Sequence, residues 1–414
     1  MPSILVTRAR VVATRLVPLA TVVAALGCSS SGSSTGGDGG TQMSSSAASG
    51  ASSTGTGAGT SSGTGAATSG ETSTATSGAG SSSSSGSTSG QGDSGTTGFP
   101  AGTICNATGS PLTPPATLKH VIVLMFENEN FGSVNGNAAA PYISSLATKC
   151  GYASTYDDNC FTDNLESLPH YLALSSGSNC NTGLDQTGTG CITVDEDATV
   201  ARLSTQSIFG QVSSWKAYQE DMPSSCDLSA SGNYATKHNP PAYYSALTTC
   251  SADDISIVGV TCNASTTMTA CGTPSNALTM DLANDTLPAY AFVTPNLNND
   301  MHNGTVTEGD NWLYTYMPLV LQAPAYLRGE VAVLVLWDEQ SSLTFGGATP
   351  NIFISPYVKA GTVSSTQMNH FSVLRAIESS LGISTYLGCA SGTAPGGGSC
   401  PAGSTADVRS ALNF

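Results

Sequence analysis

Two uninterrupted apolar runs in this 414-residue chain each end in a pair of oxygen-bearing side chains. Val121 to Phe126 leads into Glu127-Asn128, and Val331 to Trp337 leads into Asp338-Glu339. Short, β-branched runs of this kind predict strands buried on both faces of a parallel sheet. Both pairs then emerge at the carboxyl edge of that sheet, where ligands of open α/β folds bind. Three carboxylates and an amide at one edge form an oxygen-rich site suited to one or two divalent cations. Without a cation the carboxylates repel, and one is driven to take up a proton. The plain alternative is a turn cap at Glu127-Asn128 and two unrelated loop acids.

All five histidines lie between positions 120 and 370. His120 precedes the first strand and reads as structural. His170, His238, His302 and His370 sit among Pro, Asn and Asp residues typical of turns, where imidazoles serve as metal ligands, phosphate donors or general acids. Ser167 stands just before Leu168-Pro169, where a helix should begin. It is open to two readings, an N-cap or a nucleophile whose phosphate rests on a helix N-terminus. No Gly-x-Ser-x-Gly string occurs, so the α/β-hydrolase elbow is not expected.

The elements that must position these residues alternate between strand and helix. Helices are predicted over Ala140–Lys149, Leu168–Leu174, Ser207–Tyr218, Ala277–Ala283, Phe371–Leu381 and Asn311–Tyr326, the last broken near Pro318 and Pro324. Further strands are predicted over Ile255–Val260, Ala289–Thr294 and Asn351–Ser355. The pattern is that of an α/β fold with a mostly parallel central sheet covered on both faces.

The first 98 residues are of another kind. Arg8, Arg10 and Arg15 precede an apolar stretch from Leu16 to Leu26, too short to cross a bilayer. Residues 1–27 read as a signal peptide, and Ala25-Leu26-Gly27-Cys28 resembles a bacterial lipoprotein cleavage site. Residues 28–98 read as a lipidated Cys28 followed by a Ser/Gly/Thr-rich tether with too little apolar bulk to fold. The expected product is an exported lipoprotein on the outer face of a membrane, or otherwise a secreted protein, with its folded domain at 99–414. Formal charge is −16 for the chain and near −19 without residues 1–27. Only nine Lys and Arg remain after residue 27, which argues against a nucleic-acid partner. A phosphate-ester substrate would then take most of its positive counter-charge from bound metal. Besides Cys28, eleven cysteines lie in the domain, as suits an oxidising compartment. Close spacing suggests Cys180–Cys191, Cys262–Cys271, Cys389–Cys400 and Cys226–Cys250 bridges, with one of Cys105, Cys150 and Cys160 left over.

Six strings occur in order between 120 and 378. They are His120-Val-Ile-Val-Leu-Met-Phe-Glu127-Asn128-x-x-Phe131, Ser167-Leu-Pro-His-Tyr-Leu-Ala-Leu-Ser-Ser-Gly177, Lys237-His238-Asn239-Pro240, Pro295-Asn296-x-x-x-Asp300-Met301-His302, Trp337-Asp338-Glu339 and His370-Phe-Ser-Val-Leu-Arg-x-Ile-Glu378. Together they resemble the bacterial phospholipase C and acid phosphatase family of phosphoesterases, in its smaller, phosphatase-like branch. The resemblance implies a three-layer, alkaline-phosphatase-like fold. It also implies that Glu127, Asn128, Asp338 and Glu339 hold a divalent cation (Ca, Mn, Mg or Zn) and that Ser167 attacks phosphorus. His238, His302 and His370 are then the candidate proton carriers, with His302 and His370 foremost, and His170 and Asn239 the candidate substrate contacts. The family often has two Asp where this chain has Asp338-Glu339, and usually Asn where it has His170. The expected function is hydrolysis of phosphate esters through a serine nucleophile, on a monoester, a phosphoinositide or a phospholipid. The alternative is a non-catalytic, surface-anchored binding lipoprotein with a structural metal. A sulfatase ranks below both, because the context that formylglycine formation needs is missing.

Overall fold

The computed structural model describes residues 98–157, 166–179, 191–341, 348–395 and 399–414. The expected signal peptide, Cys28 and nearly all of the tether lie outside the described residues, as do Cys160 and Cys180. Eight strands form one sheet: β1 (His120–Phe126), β2 (Gly151–Ala153), β3 (Trp215–Glu220), β4 (Asp254–Ile257), β5 (Tyr290–Thr294), β6 (Val331–Trp337), β7 (Asn351–Ile354) and β8 (Thr362–Ser364). Their spatial order is β4-β3-β5-β1-β6-β7-β2-β8. The five strands from β4 to β6 run parallel, and β7 alone is antiparallel to its neighbours. Every residue of β5 and β6 is buried, so helices and loops cover both faces, as expected for a parallel sheet. The expected α/β class and mostly parallel sheet are observed.

The register of the central strands is what matters for the site. Phe126 pairs with Trp337 and Leu124 with Val293. The ends of β5, β1 and β6 therefore lie side by side. Beneath this edge the Phe126 ring stacks on Trp337 at 5.0 Å and meets Trp312 edge-on at 5.7 Å.

Several elements differ from expectation. Ser207–Tyr218 is not one helix: a short turn of helix at Ile208–Gln211 gives way to β3. The spacing of Ile208, Val212 and Trp215 is helical, but Ser213-Ser214 breaks the segment, and Trp215-Lys-Ala-Tyr fits the slot between β4 and β5. The predicted break near Pro318 is absent. The helix runs from Val306 to Gln322 through it, with a capping box formed by Thr305 and Glu308. Pro324 opens a separate short helix, the position where its missing N–H costs nothing. The short strands β2 and β8 were not expected.

Disulfides join Cys105–Cys150, Cys226–Cys250, Cys262–Cys271 and Cys389–Cys400. Cys191 is also bridged, while its expected partner Cys180 lies outside the described residues. Among the described residues no helix is long and apolar enough to cross a membrane.

Candidate active site

At the carboxyl edge of the sheet, Glu127 and Asp338 leave β1 and β6 at the same level. The Asp338 amide donates to the Phe126 carbonyl at 3.1 Å, and the Glu127 amide donates to the Asp300 carbonyl at 2.9 Å. Asn128 turns the chain in the left-handed region, at φ 50°, a conformation Asn tolerates better than most residues. Its amide N–H donates to Asp338 Oδ1 at 3.0 Å. Its side-chain nitrogen lies 3.3 Å from Glu127 Oε2.

Ser167 begins the helix Ser167–Ser176, whose N-cap is Glu166. The capping alternative therefore does not hold, because the Ser167 hydroxyl is directed elsewhere. It donates to Glu127 Oε2 at 3.0 Å and is 1% exposed. One turn on, the Tyr171 hydroxyl donates to Glu127 Oε1. The Tyr171 ring stacks on His238, with centroids 5.4 Å apart. His238 stands between two acids, with Nε2 3.2 Å from Glu127 Oε1 and Nδ1 3.2 Å from Asp300 Oδ2.

His170 and His370 converge on one peptide. His170 Nδ1 is 3.0 Å and His370 Nε2 2.7 Å from the Asp338 carbonyl oxygen. A carbonyl only accepts, so both nitrogens carry hydrogen. Burial holds the two rings neutral, lowering His170 to about 3, with repulsion from His370 as the lesser cause, and His370 to about 4. The remaining nitrogen of His370 then accepts from the Tyr156 hydroxyl at 2.7 Å. The remaining nitrogen of His170 presents its lone pair toward Glu339 Oε2 at 3.6 Å.

The electrostatics are those of acids crowded in a dry place. Burial, then repulsion from Asp338 and Asp300, pushes Glu127 well above the carboxylate range. Burial raises Asp300 and Asp338 likewise. Glu339 rises to about 9 through burial and the charge of Asp338, while burial pushes His238 well down. His238 Nε2, Asp300 Oδ2 and Asp338 Oδ2 are buried without a hydrogen bond. Glu127, His238 and His302 offer donor atoms within 4.8 Å of one another. Orphaned oxygens and an imidazole nitrogen, with carboxylates that repel when charged, are the donor set that a divalent cation neutralises. The residues fit such an ion.

The structure thus gathers Glu127, Asn128, Ser167, His170, His238, Asp338 and Glu339 at one edge. His302 lies at its margin, 3.1 Å from Lys237 Nζ and half-buried. Two expectations do not fit this geometry. The Asn239 side chain donates to Asp254 at 2.8 Å and to Tyr234 at 2.9 Å. It braces the start of β4 and is not turned toward substrate. His370 has both ring nitrogens engaged, by the Asp338 carbonyl and the Tyr156 hydroxyl, which does not suit the expected proton carrier. Asp300, Tyr171, Lys237 and Asp195 received no role from the sequence. Asp300 carried a weaker signal, since it lies in the segment that follows β5, past its last residue Thr294, whereas Glu127 follows β1 directly. Asp195 carried none.

A model of the phosphoesterase family matches residues 137–384. The chain is 27% identical over 268 residues to the phosphatidylinositol-3-phosphatase of Mycobacterium tuberculosis, an alignment covering 64% of this chain and 78% of that protein. It is 26% identical over 294 residues to the phosphate-repressible acid phosphatase of Penicillium chrysogenum, covering 67% of this chain and 63% of the relative. Among solved structures, the lipoteichoic acid synthase LtaP from Listeria monocytogenes superposes with a TM-score of 0.44 at 10% identity, over 68% of this chain and 76% of that one. The family match spans more than half of the sequence, and this chain belongs to the phosphoesterase family, as a hydrolase of phosphoric ester bonds.

Proposed function

We propose that the chain is a metal-dependent phosphomonoesterase in which Ser167 is the nucleophile. The observation that supports this most is the Ser167 hydroxyl, buried and hydrogen-bonded to Glu127 Oε2 at 3.0 Å. A serine at a helix start, tied to a carboxylate among orphaned donors, has the surroundings of an activated nucleophile. Glu127, Asn128, Asp338 and Glu339 would hold the divalent cation, with Asp300 and His238 as further donors within the same cluster. When bound, the ion supplies positive charge that neutralises the carboxylates and the phosphate oxygens.

The chain's own residues supply the rest. Glu127 orients the Ser167 hydroxyl for attack in line with the leaving alcohol, giving a phosphoserine that water then hydrolyses. Tyr171 and the Asp300 backbone hold Glu127 in place. His302 is the proton carrier we favour. It is half-buried and lines a cavity of about 560 Å³ beside the cluster, wide enough for a leaving group, whereas His370 is fully buried. Substrates in reach of this reading are small phosphate monoesters and phosphoinositides. Export and lipid anchoring through Cys28 belong to the same proposal and rest on the sequence.

The test is hydrolysis of p-nitrophenyl phosphate by the purified protein, before and after chelation and after return of Mg, Ca, Mn or Zn. Activity lost with chelator and regained with one metal is expected. Failure to cleave this ester or any member of a monoester and phosphoinositide panel would leave the binding lipoprotein as the better account.

A further inference from the structure

A carboxylate from a distant part of the chain, that of Asp195, meets the start of the nucleophile's helix. Its Oδ1 accepts the backbone N–H of Leu168 at 3.0 Å. Its Oδ2 lies 2.5 Å from Lys237 Nζ. Leu168 follows Ser167, so covalent geometry keeps that N–H beside the Ser167 hydroxyl. Lys237 in turn reaches His302 Nε2 at 3.1 Å and precedes His238, whose buried Nε2 has no hydrogen bond and is 3.2 Å from Glu127. An N–H at a helix start and an ammonium, aimed at one place beside a nucleophile, make an anion site. In this structure the anion there is the protein's own.

Resting on the reading of Ser167 as nucleophile, we propose that Asp195 is an internal stand-in for the substrate phosphate. It occupies the Leu168 N–H and Lys237 Nζ until a phosphate ester displaces it, and it returns to expel the phosphate product. Asp195 would then be a specificity-determining residue of the reaction.

Three features favour displacement over a fixed brace. The Asp195 and Lys237 side chains are 21% and 22% exposed, so water and ligand reach the pair. Both line the 560 Å³ cavity that also holds His302. The backbone at 195 is anchored separately, because its N–H donates to the Glu166 side chain. The carboxylate can leave by a rotamer change with the chain held where it is. A phosphate ester carries more charge and more acceptor oxygens than a carboxylate, so it wins the same donors when present. A carboxylate that returns keeps the product from lingering on them.

The experiment measures inhibition by inorganic phosphate in full-length wild type, Asp195→Asn, Lys237→Gln and the double variant. Asn keeps an oxygen for the Leu168 N–H but gives up the charge on Lys237. Phosphate should inhibit Asp195→Asn about tenfold more tightly than wild type, the change that one charge-assisted hydrogen bond to a competitor commands. KM for p-nitrophenyl phosphate should fall with it, while kcat does not rise. Lys237→Gln should weaken phosphate about tenfold, and in that background Asp195→Asn should change little, since the contested donor is gone. Titration calorimetry of phosphate into Ser167→Ala and Ser167→Ala/Asp195→Asn gives the same comparison without turnover. A phosphate affinity that stays level or weakens in Asp195→Asn, with KM raised, makes Asp195 a brace and overturns the proposal while Ser167 chemistry stands. A wild type that neither cleaves phosphate esters nor binds phosphate overturns both.

Discussion

Ser167, the nucleophile we propose, carries the most direct test at the scale of a single residue. Its helix is capped at Glu166, so its removal costs no cap. Ser167→Ala should lower turnover at least a thousandfold, and the melting temperature should shift by no more than the loss of one hydrogen bond, about 1 kcal/mol. Activity within tenfold of wild type would assign the attack to another group. Glu378 offers a second test at this scale, away from the cluster. It is buried on the helix His370–Ser380, with the Leu387 amide on Oε1 at 2.9 Å and no hydrogen bond to Oε2. Burial raises its pKa from 4.5 to about 8. Across that interval the folded protein keeps a proton that the unfolded chain has released, so its contribution to stability falls as pH rises. Glu378→Gln should match wild type at pH 4 and exceed it at pH 8, by on the order of 4 kcal/mol; equal denaturation midpoints at both pH values would show that the group titrates normally. Legibility differs residue by residue. Glu127 and Asp338 were readable because strand ends are marked by apolar runs. Asn239 misled because a His-Asn-Pro string reports a turn and not the direction of its amide. Asp195 was silent because its partners lie 27 and 42 positions away in sequence.

Strand ends are where the fold and the chemistry meet. β1 and β6 were legible over their full lengths because strands buried on both faces leave no polar interruption. β3 was not, because Lys216 and Gln219 interrupt it and a helical spacing precedes it. Yet β3 ends in a third oxygen-bearing pair, Glu220-Asp221. The Glu220 carboxylate takes four donors: Val260 N–H at 2.9 Å, Trp312 Nε1 at 3.2 Å, Asn296 N–H at 2.9 Å and Asn299 Nδ2 at 2.8 Å. Asp221 accepts from Gly259 N–H at 2.9 Å and Asn296 Nδ2 at 2.8 Å. Together they fix the segment after β5 that carries Asp300 and His302. That segment includes Met301 at φ 82°, a strained conformation that needs outside support. Glu220→Gln would place an amide NH₂ against two donors. It should cost about 2–3 kcal/mol of stability and lower kcat/KM and cation affinity together, because Asp300 and His302 lose their alignment. Loss of stability with unchanged catalysis and metal content would confine Glu220 to the core.

At the scale of the whole molecule, the disulfide bridges and the proposed tether bear on where this enzyme works. Four disulfides within the described residues close loops of 45, 24, 9 and 11 residues in sequence separation. Each bridge is worth roughly 2–4 kcal/mol when it constrains the unfolded chain. Reductant should lower the melting temperature by more than 10 °C, and an unchanged melt would mean that the thiols are not bridged in solution. Such dependence suits an oxidising compartment. The sequence before residue 99 agrees with that compartment, and we propose that Cys28 supplies the membrane affinity. An acyl anchor adds about 0.8 kcal/mol per buried methylene. A net charge near −19 without the first 27 residues gives the domain little electrostatic attraction to anionic lipid. Cys28→Ser should therefore move the protein from the membrane to the soluble fraction. Deletion of residues 1–98 should leave kcat and KM on p-nitrophenyl phosphate unchanged, because each group proposed for catalysis lies at or beyond Glu127. Fractionation of cells expressing both forms is the measurement. Wild type found only in soluble fractions, or Cys28→Ser still sedimenting with membranes, would remove the lipid anchor from the account.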